Sequence, residues 1–457
     1  MRSSARLGDV ELPDFGMPVQ VPQLPSSIYA DRMRRFRERA FENGYDVLVV
    51  YADREHSANL SYLTGFDPRF EEALLIIGAN QVPSLLVGNE CVGIARAAPL
   101  EMDVILFQEF SLPGQPRDRS QPLSMILDDQ GFHDGTRVGL IGWKTFPDPH
   151  LLDLPSYITD SIREACGREN VENATGILID SGNGLRVINE LEQLASFEYA
   201  SCQTSNGVRN LLFGLEPGTT EQEAVRLLEW NGAPLSCHLM LTAGDRARYG
   251  LLSPSDRAIE IGDPMTVAFG IWGALNCRAG FVVDDSSRLP GEINDYVDKL
   301  VAPYFETVAE WYRAVHIGQA GGVLHEIVDR RLGDPFFGIF LNPGHQLHLD
   351  EWVNSPVGPG SVVELQSAMA LQVDIIPATG TPYFTTNIED GIALADDALR
   401  STFALRYPDA WSRIQRRRDF MRDSLGIELH PEVLPLSNIP AFLTPFLLSP
   451  HKAMTLV

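Results

Sequence analysis

The segment GHQLHLDEW (344–352) sets two imidazoles, His345 and His348, three residues apart behind a glycine. Imidazole changes charge near neutral pH and is the commonest side-chain metal ligand. The pair reads as a proton-handling or ligating site, although two hydrogen-bonded core histidines would share the spacing. A second candidate lies in MALQVDIIPATGTPYFTTNIEDG (369–391). There Asp374 interrupts the apolar strand LQVDII, where an uncompensated carboxylate is costly. Glu389 and Asp390 follow across what reads as a hairpin. Acids so placed are coordinated, ion-paired or used as acid and base.

These residues need elements to position them. A helix is expected from Ser27 to Gly44, with Ile28, Met33, Phe36 and Phe41 as its apolar positions. YDVLVVYA (45–52), ALLIIG (73–78), SLLVGN (84–89), RVGLIGW (137–143) and GILIDS (176–181) read as strands. They alternate with helical stretches such as HLLDLPSYITDSIREA (150–165), which predicts an α/β domain over 28–186 behind an arm of residues 1–27. A long helix follows from Asn189 and breaks at Glu216-Pro217-Gly218; Thr220 caps the next one. Beyond Gly232, HLMLTAG, PMTVAFGIWGALNCRAGFVVDD and MALQVDIIPA read as sheet strands, with a helix over 295–315, so residues 187–425 predict an α+β domain. The stretch 428–453 carries proline at 431, 435, 440, 445 and 450. That spacing forbids a long helix, and 426–457 reads as an extension wrapped over a surface.

Composition excludes several functions. With 36 basic and 61 acidic residues the net charge is −25, which opposes binding to nucleic acid or to anionic lipid. The five cysteines are scattered, with no CxxC pair, so a reducing cytoplasm is expected. The N-terminus lacks the apolar core of a signal peptide, and no run of apolar residues is long enough to span a membrane.

Five segments, in order, resemble the creatinase/aminopeptidase P superfamily, the M24 metallopeptidases of pita-bread fold. They are NLSYLTGF (59–66), PGTTEQEA (217–224), SPSDRAIEIGD (253–263), NPGHQLHLDE (342–351) and NIEDG (387–391). The resemblance runs from about residue 28 to 395 and implies a pita-bread C-terminal domain behind a creatinase-type α/β domain. It also implies a homodimer. Family peptidases hold two metal ions with two aspartates, a histidine and two glutamates. The histidine falls on His345, and the glutamates fall on Asp374 and Glu389. The aspartates fall on Ala268 and, without gaps, on Ala279. Two catalytic histidines fall on Leu251 and Trp352.

Alanine has no oxygen to give a metal, so the resemblance with these departures implies no dinuclear centre. Asp284 would need a hairpin insertion to replace the second aspartate, because 279 and 284 face opposite sides. His345, Asp374 and Glu389 could hold one ion of manganese, iron or zinc type; otherwise no cofactor is expected. Creatinase cleaves a C–N bond without metal and supplies the first reading: a small-molecule C–N hydrolase using His345, Asp374 and Glu389. His348 and His238, on the strand before the missing histidine, are further candidate bases. Cys277 shares strand parity with 279 and is a candidate thiolate or substrate contact; Arg278 and Trp272 lie on the same hairpin and could shape a pocket, and Arg278 and Trp352 are further candidate substrate contacts. Arg54, after a strand, could fork onto a substrate carboxylate. The alternatives are an Xaa-Pro peptidase with a rearranged or single-ion site acting on short peptides, and an inactive pseudo-peptidase serving as a binding module.

Overall fold

A computed structural model describes residues 4–79 and 81–457. They form two compact units: Leu24–Arg186, and Val187–Val457 together with the N-terminal arm up to Gln23. Strand β1 (Ala5–Asp9) of the arm belongs to the second unit.

In the first unit β2 (Val47–Ala52), β3 (Ala73–Gly78), β4 (Ser84–Val87), β5 (Asp103–Leu106), β6 (Val138–Ile141) and β7 (Val171–Asn173) form one sheet in the order β5-β4-β3-β2-β6-β7. All six residues of β2 are buried, as a central strand covered on both faces requires. Val49, Leu74, Ile76 and Leu140 pack with Ile158 and Ile162 of the helix Ser156–Cys166. The helix expected from Ser27 runs over Ser26–Glu42. The expected strand GILIDS is instead a helical turn, Gly176–Ile179, and β7 is the sheet's last strand. Four apolar residues in a row do not distinguish a strand from a buried turn, and Leu178 and Ile179 are buried in either form.

The second unit is built on β8 (Met240–Ala243), β9 (Pro264–Ile271), β10 (Ala274–Phe281), β11 (His345–Gln346), β12 (Ala370–Ile375), β13 (Asn387–Leu394) and β14 (Val433–Pro435). The order is β11-β12-β13-β10-β9-β8, with β14 also on β13. The helix Leu191–Gly214 packs along β9 and β10. It starts one residue after Glu190, while Asn189 gives its amide to the Ala368 carbonyl at 3.0 Å. Thr220 and Glu223 form a reciprocal cap on the next helix. Residues 433–447 are almost wholly buried, and β15 (Lys452–Leu456) pairs with β1. The proline-spaced terminal segment is therefore part of the core of this unit. Proline keeps it extended, and its apolar side chains bury themselves under that constraint.

Glu198 ties the long helix to the helix Pro408–Asp423. It is 1% exposed and accepts from Arg413 Nε at 2.8 Å, Arg413 Nη2 at 2.7 Å and Arg417 Nη2 at 2.9 Å. Burial pushes its carboxyl up, but the Arg417 charge and the Arg413 hydrogen bond prevail and hold it below the usual glutamate value. A depressed acid stabilises the fold above its unfolded value, near 4.5, and that stabilisation disappears as pH falls through the folded value. Glu198→Ala should cost about 3–5 kcal/mol at pH 7, because two buried guanidinium groups lose their counterion. Denaturant titrations should show the gap between wild type and variant closing below pH ~4.5.

Candidate functional site

The sheet register assembles the site. Ile271 pairs with Ala274, so the β9–β10 hairpin turns on Trp272-Gly273, and Gly273 takes a φ of +94° that favours glycine. Counting back from the turn, Ala268 faces Cys277, and Cys277 faces Glu389 across β13. Glu389 in turn faces Asp374, while His345 pairs with Gln372 one strand further. Gly344, at φ +140°, lets the chain pass close to Trp311 and the Gln372 carbonyl: a Cβ there would lie 3.0 Å and 3.1 Å from them. Gly344 thus delivers His345 into the interior.

His345 is fully buried, Glu389 is 3% exposed and Asp374 is 4% exposed. From His345 Nε2 it is 3.5 Å to Glu389 Oε1 and 3.9 Å to Asp374 Oδ2. A residue that the sequence reading did not single out completes the group. Glu351, partly exposed, brings Oε1 to 3.4 Å from the same nitrogen. It sits on the loop 347–352, which is clamped at its base. Gln346 N donates to the Asn354 carbonyl at 2.7 Å, and Val353 N donates to the Gln346 carbonyl at 3.0 Å. Trp352, next in the chain, stacks on His345 with centroids 4.2 Å apart and planes at 19°. At 38% exposure it forms the partly open roof.

Burial dominates the electrostatics. It pushes Asp374 up to about 8, reinforced by the Glu389 carboxylate and opposed by His345. Burial also raises Glu389 and Glu351 above the ordinary carboxylate range; the Cys277 thiol and His345 respectively hold them back. His345 Nε2, Asp374 Oδ1 and Glu389 Oε1 have no hydrogen-bond partner.

The remaining candidates are placed as follows. Cys277 gives its thiol to Glu389 Oε2 at 2.7 Å. It lies with Met240, Ala268, Leu275 and Cys237 in an apolar wall beside the acids. Arg278 points to the other face, where it pairs with Asp390 at 2.8 Å and donates to the carbonyls of Cys277, Ile439 and Phe442; it is a framework residue. His348 packs edge-on against Phe197 of the long helix. His238 is exposed, with Nε2 2.7 Å from the Leu251 carbonyl. Arg54 is exposed and lies 3.4 Å from Glu55. Asp284 lies past the end of β10 and pairs with Arg288 at 3.4 Å. Ala279 pairs with Thr266 and Asn387. The structure therefore brings His345, Asp374, Glu389, Cys277 and Trp352 together.

No protein-family model matches the chain, and no curated protein matches its sequence. Solved structures do match. A prolidase from Thermococcus sibiricus is 18% identical, with 80% of this chain and 95% of that one covered at a TM-score of 0.64. An Xaa-Pro dipeptidase from Bacillus anthracis is 15% identical, covering 81% and 96% at 0.61. An X-Pro aminopeptidase from Thermotoga maritima is 16% identical, covering 80% and 95% at 0.60. The chain has the creatinase/aminopeptidase P fold. The seven-stranded sheet carrying the cluster lies in the unit formed by Val187–Val457 and the N-terminal arm. Among the described residues no helix is long and apolar enough to cross a membrane.

The donor set decides what this pita-bread site can hold. The wall beside Glu389 offers Ala268, Met240 and the Cys277 thiol, and the carboxylates lie on the side of His345. One imidazole with carboxylates suits a single hard or borderline cation, and the unbonded atoms of His345, Asp374 and Glu389 are available to it.

Burial, with the charge of Glu389, raises the Cys277 thiol well above its ordinary value and keeps it a hydrogen-bond donor, not a nucleophile. Iodoacetamide at pH 8 followed by peptide mapping should leave Cys277 unmodified in the folded protein and label it after denaturation. Rapid labelling of the native protein would show a reactive thiolate.

Proposed function

We propose that the chain hydrolyses a C–N bond in a small molecule or short peptide at the His345–Asp374–Glu389 cluster. One observation carries the reading. Three carboxyls and an imidazole converge in a buried site, and burial moves the acids toward neutral pH, where a group both gives and takes protons.

Amide hydrolysis needs both roles. A carboxylate removes a proton from water while the water oxygen bonds to the carbonyl carbon. An acid then protonates the nitrogen as the C–N bond breaks, so the two proton transfers balance. Asp374 is suited to the acid role, since burial keeps its proton on at neutral pH. Glu389 or Glu351 is suited to the base role. His345 and Glu389 are the residues that would hold a divalent ion, with Asp374 at its edge, and the ion when bound would supply Lewis-acid polarisation of the carbonyl. Trp352 limits water above the cluster, and the wall of Met240, Ala268 and Leu275 suits an apolar substrate group.

An Xaa-Pro dipeptidase activity is the second reading, supported by the prolidase and the Xaa-Pro dipeptidase among the fold's neighbours. A panel of Xaa-Pro dipeptides, other dipeptides and small amides and amidines tests both. Turnover should appear with one class. Asp374→Asn should then lower kcat by at least ~100-fold, the size of a lost proton-transfer group, while Arg54→Ala should leave kcat unchanged. Absence of turnover across the panel, with and without Mn²⁺ or Zn²⁺, would contradict the hydrolase reading and favour a binding module.

A further inference from the structure

The spacing around His345 Nε2 is too wide for hydrogen bonds. His345 Nε2 lies 3.4 Å from Glu351 Oε1 and 3.5 Å from Glu389 Oε1, and the three ligand atoms all lie within 4.8 Å of one another. Hydrogen-bonded N and O atoms approach to about 2.7–3.2 Å. Two atoms bound to one ion at about 2.0–2.2 Å in tetrahedral geometry lie about 3.3–3.6 Å apart.

The imidazole is also prepared. Its Nδ1 lies 3.2 Å from the Gln346 carbonyl, which fixes the proton there and leaves the Nε2 lone pair facing the carboxylates. That Nε2 is buried and has no hydrogen-bond partner, as does Glu389 Oε1.

We infer that Glu351 is a metal ligand, and that the chain holds one divalent cation between His345 Nε2, Glu351 and Glu389, with Asp374 at its edge. The family resemblance places no ligand at 351. The loop 347–352 supplies an oxygen where the β9–β10 hairpin, with Ala268 and Cys277, supplies none. One nitrogen with carboxylate oxygens suits Mn²⁺, Fe²⁺ or Zn²⁺. Glu351 and the roof residue Trp352 are consecutive, so the ion would fasten the loop as well as fill the cluster. This goes beyond the hydrolase reading, since an ion can be held whether or not an amide is cleaved.

Equilibrium dialysis of chelator-treated, full-length protein against Mn²⁺, and separately against Zn²⁺, is the test. One ion per chain is expected. Glu351→Gln should weaken its binding by at least ~100-fold, more than the loss of an outer-shell partner costs, with an unchanged circular dichroism spectrum. Glu351 is partly exposed, so the variant is expected to fold. Titration of the metal-free protein should also change tryptophan emission, and Trp352→Phe should remove that change. Two ions per chain, no bound ion, or wild-type affinity in Glu351→Gln would each overturn the inference. A loss of hydrolysis without a loss of binding would count only against the hydrolase reading.

Discussion

The Arg278–Asp390 ion pair is the constraint on which the site rests. Both side chains are nearly out of water, at 2% and 1% exposure, and they meet at 2.8 Å on the face of the sheet away from the cluster. Arg278 also donates to carbonyls of the terminal segment, and Asp390 accepts from Ala441 N. Removing either partner would strand a buried charge, which typically costs about 3–5 kcal/mol. A slip of β13 by one residue would exchange Glu389 and Asp390 between faces. The pair thus fixes which acid points into the site and joins the last thirty or so residues to the catalytic-like sheet.

With the register held, the cluster becomes a problem of solvation. Carboxyls and an imidazole are withdrawn from water without enough mutual hydrogen bonds to satisfy them. Two responses are open to such groups. Acids can keep their protons, as the elevated Asp374 does. Alternatively a cation can take the place of the protons. Both responses are useful to a hydrolase.

Much of this could be read in advance, for physical reasons that differ by residue. Asp374 announced itself because a charge inside LQVDII is improbable without a purpose. Glu389 followed from the hairpin, and His345 from its glycine and the segment around it. Glu351 did not stand out, because an acid on a polar loop carries no pattern; only the clamp of Gln346 against Val353 and Asn354 folds it back over His345. The two-residue turn at Trp272-Gly273 sets Cys277 opposite Ala268 and Ala279 opposite Thr266, a register that the residue spacing alone did not give. Arg278 looked available beside Cys277, yet strand alternation turns it to the opposite face. The terminal segment read as a wrapping tail because proline spacing reports what a chain cannot form, not what it packs against.

The central claim is that these groups converge on a single occupant. Crystals grown with Mn²⁺ and measured at the manganese absorption edge would test it most directly. The account predicts one anomalous peak per chain, between His345, Glu351 and Glu389. Two peaks, with one beside Ala268 and Cys277, would contradict it, and so would a cluster whose side chains close on one another with no peak at all.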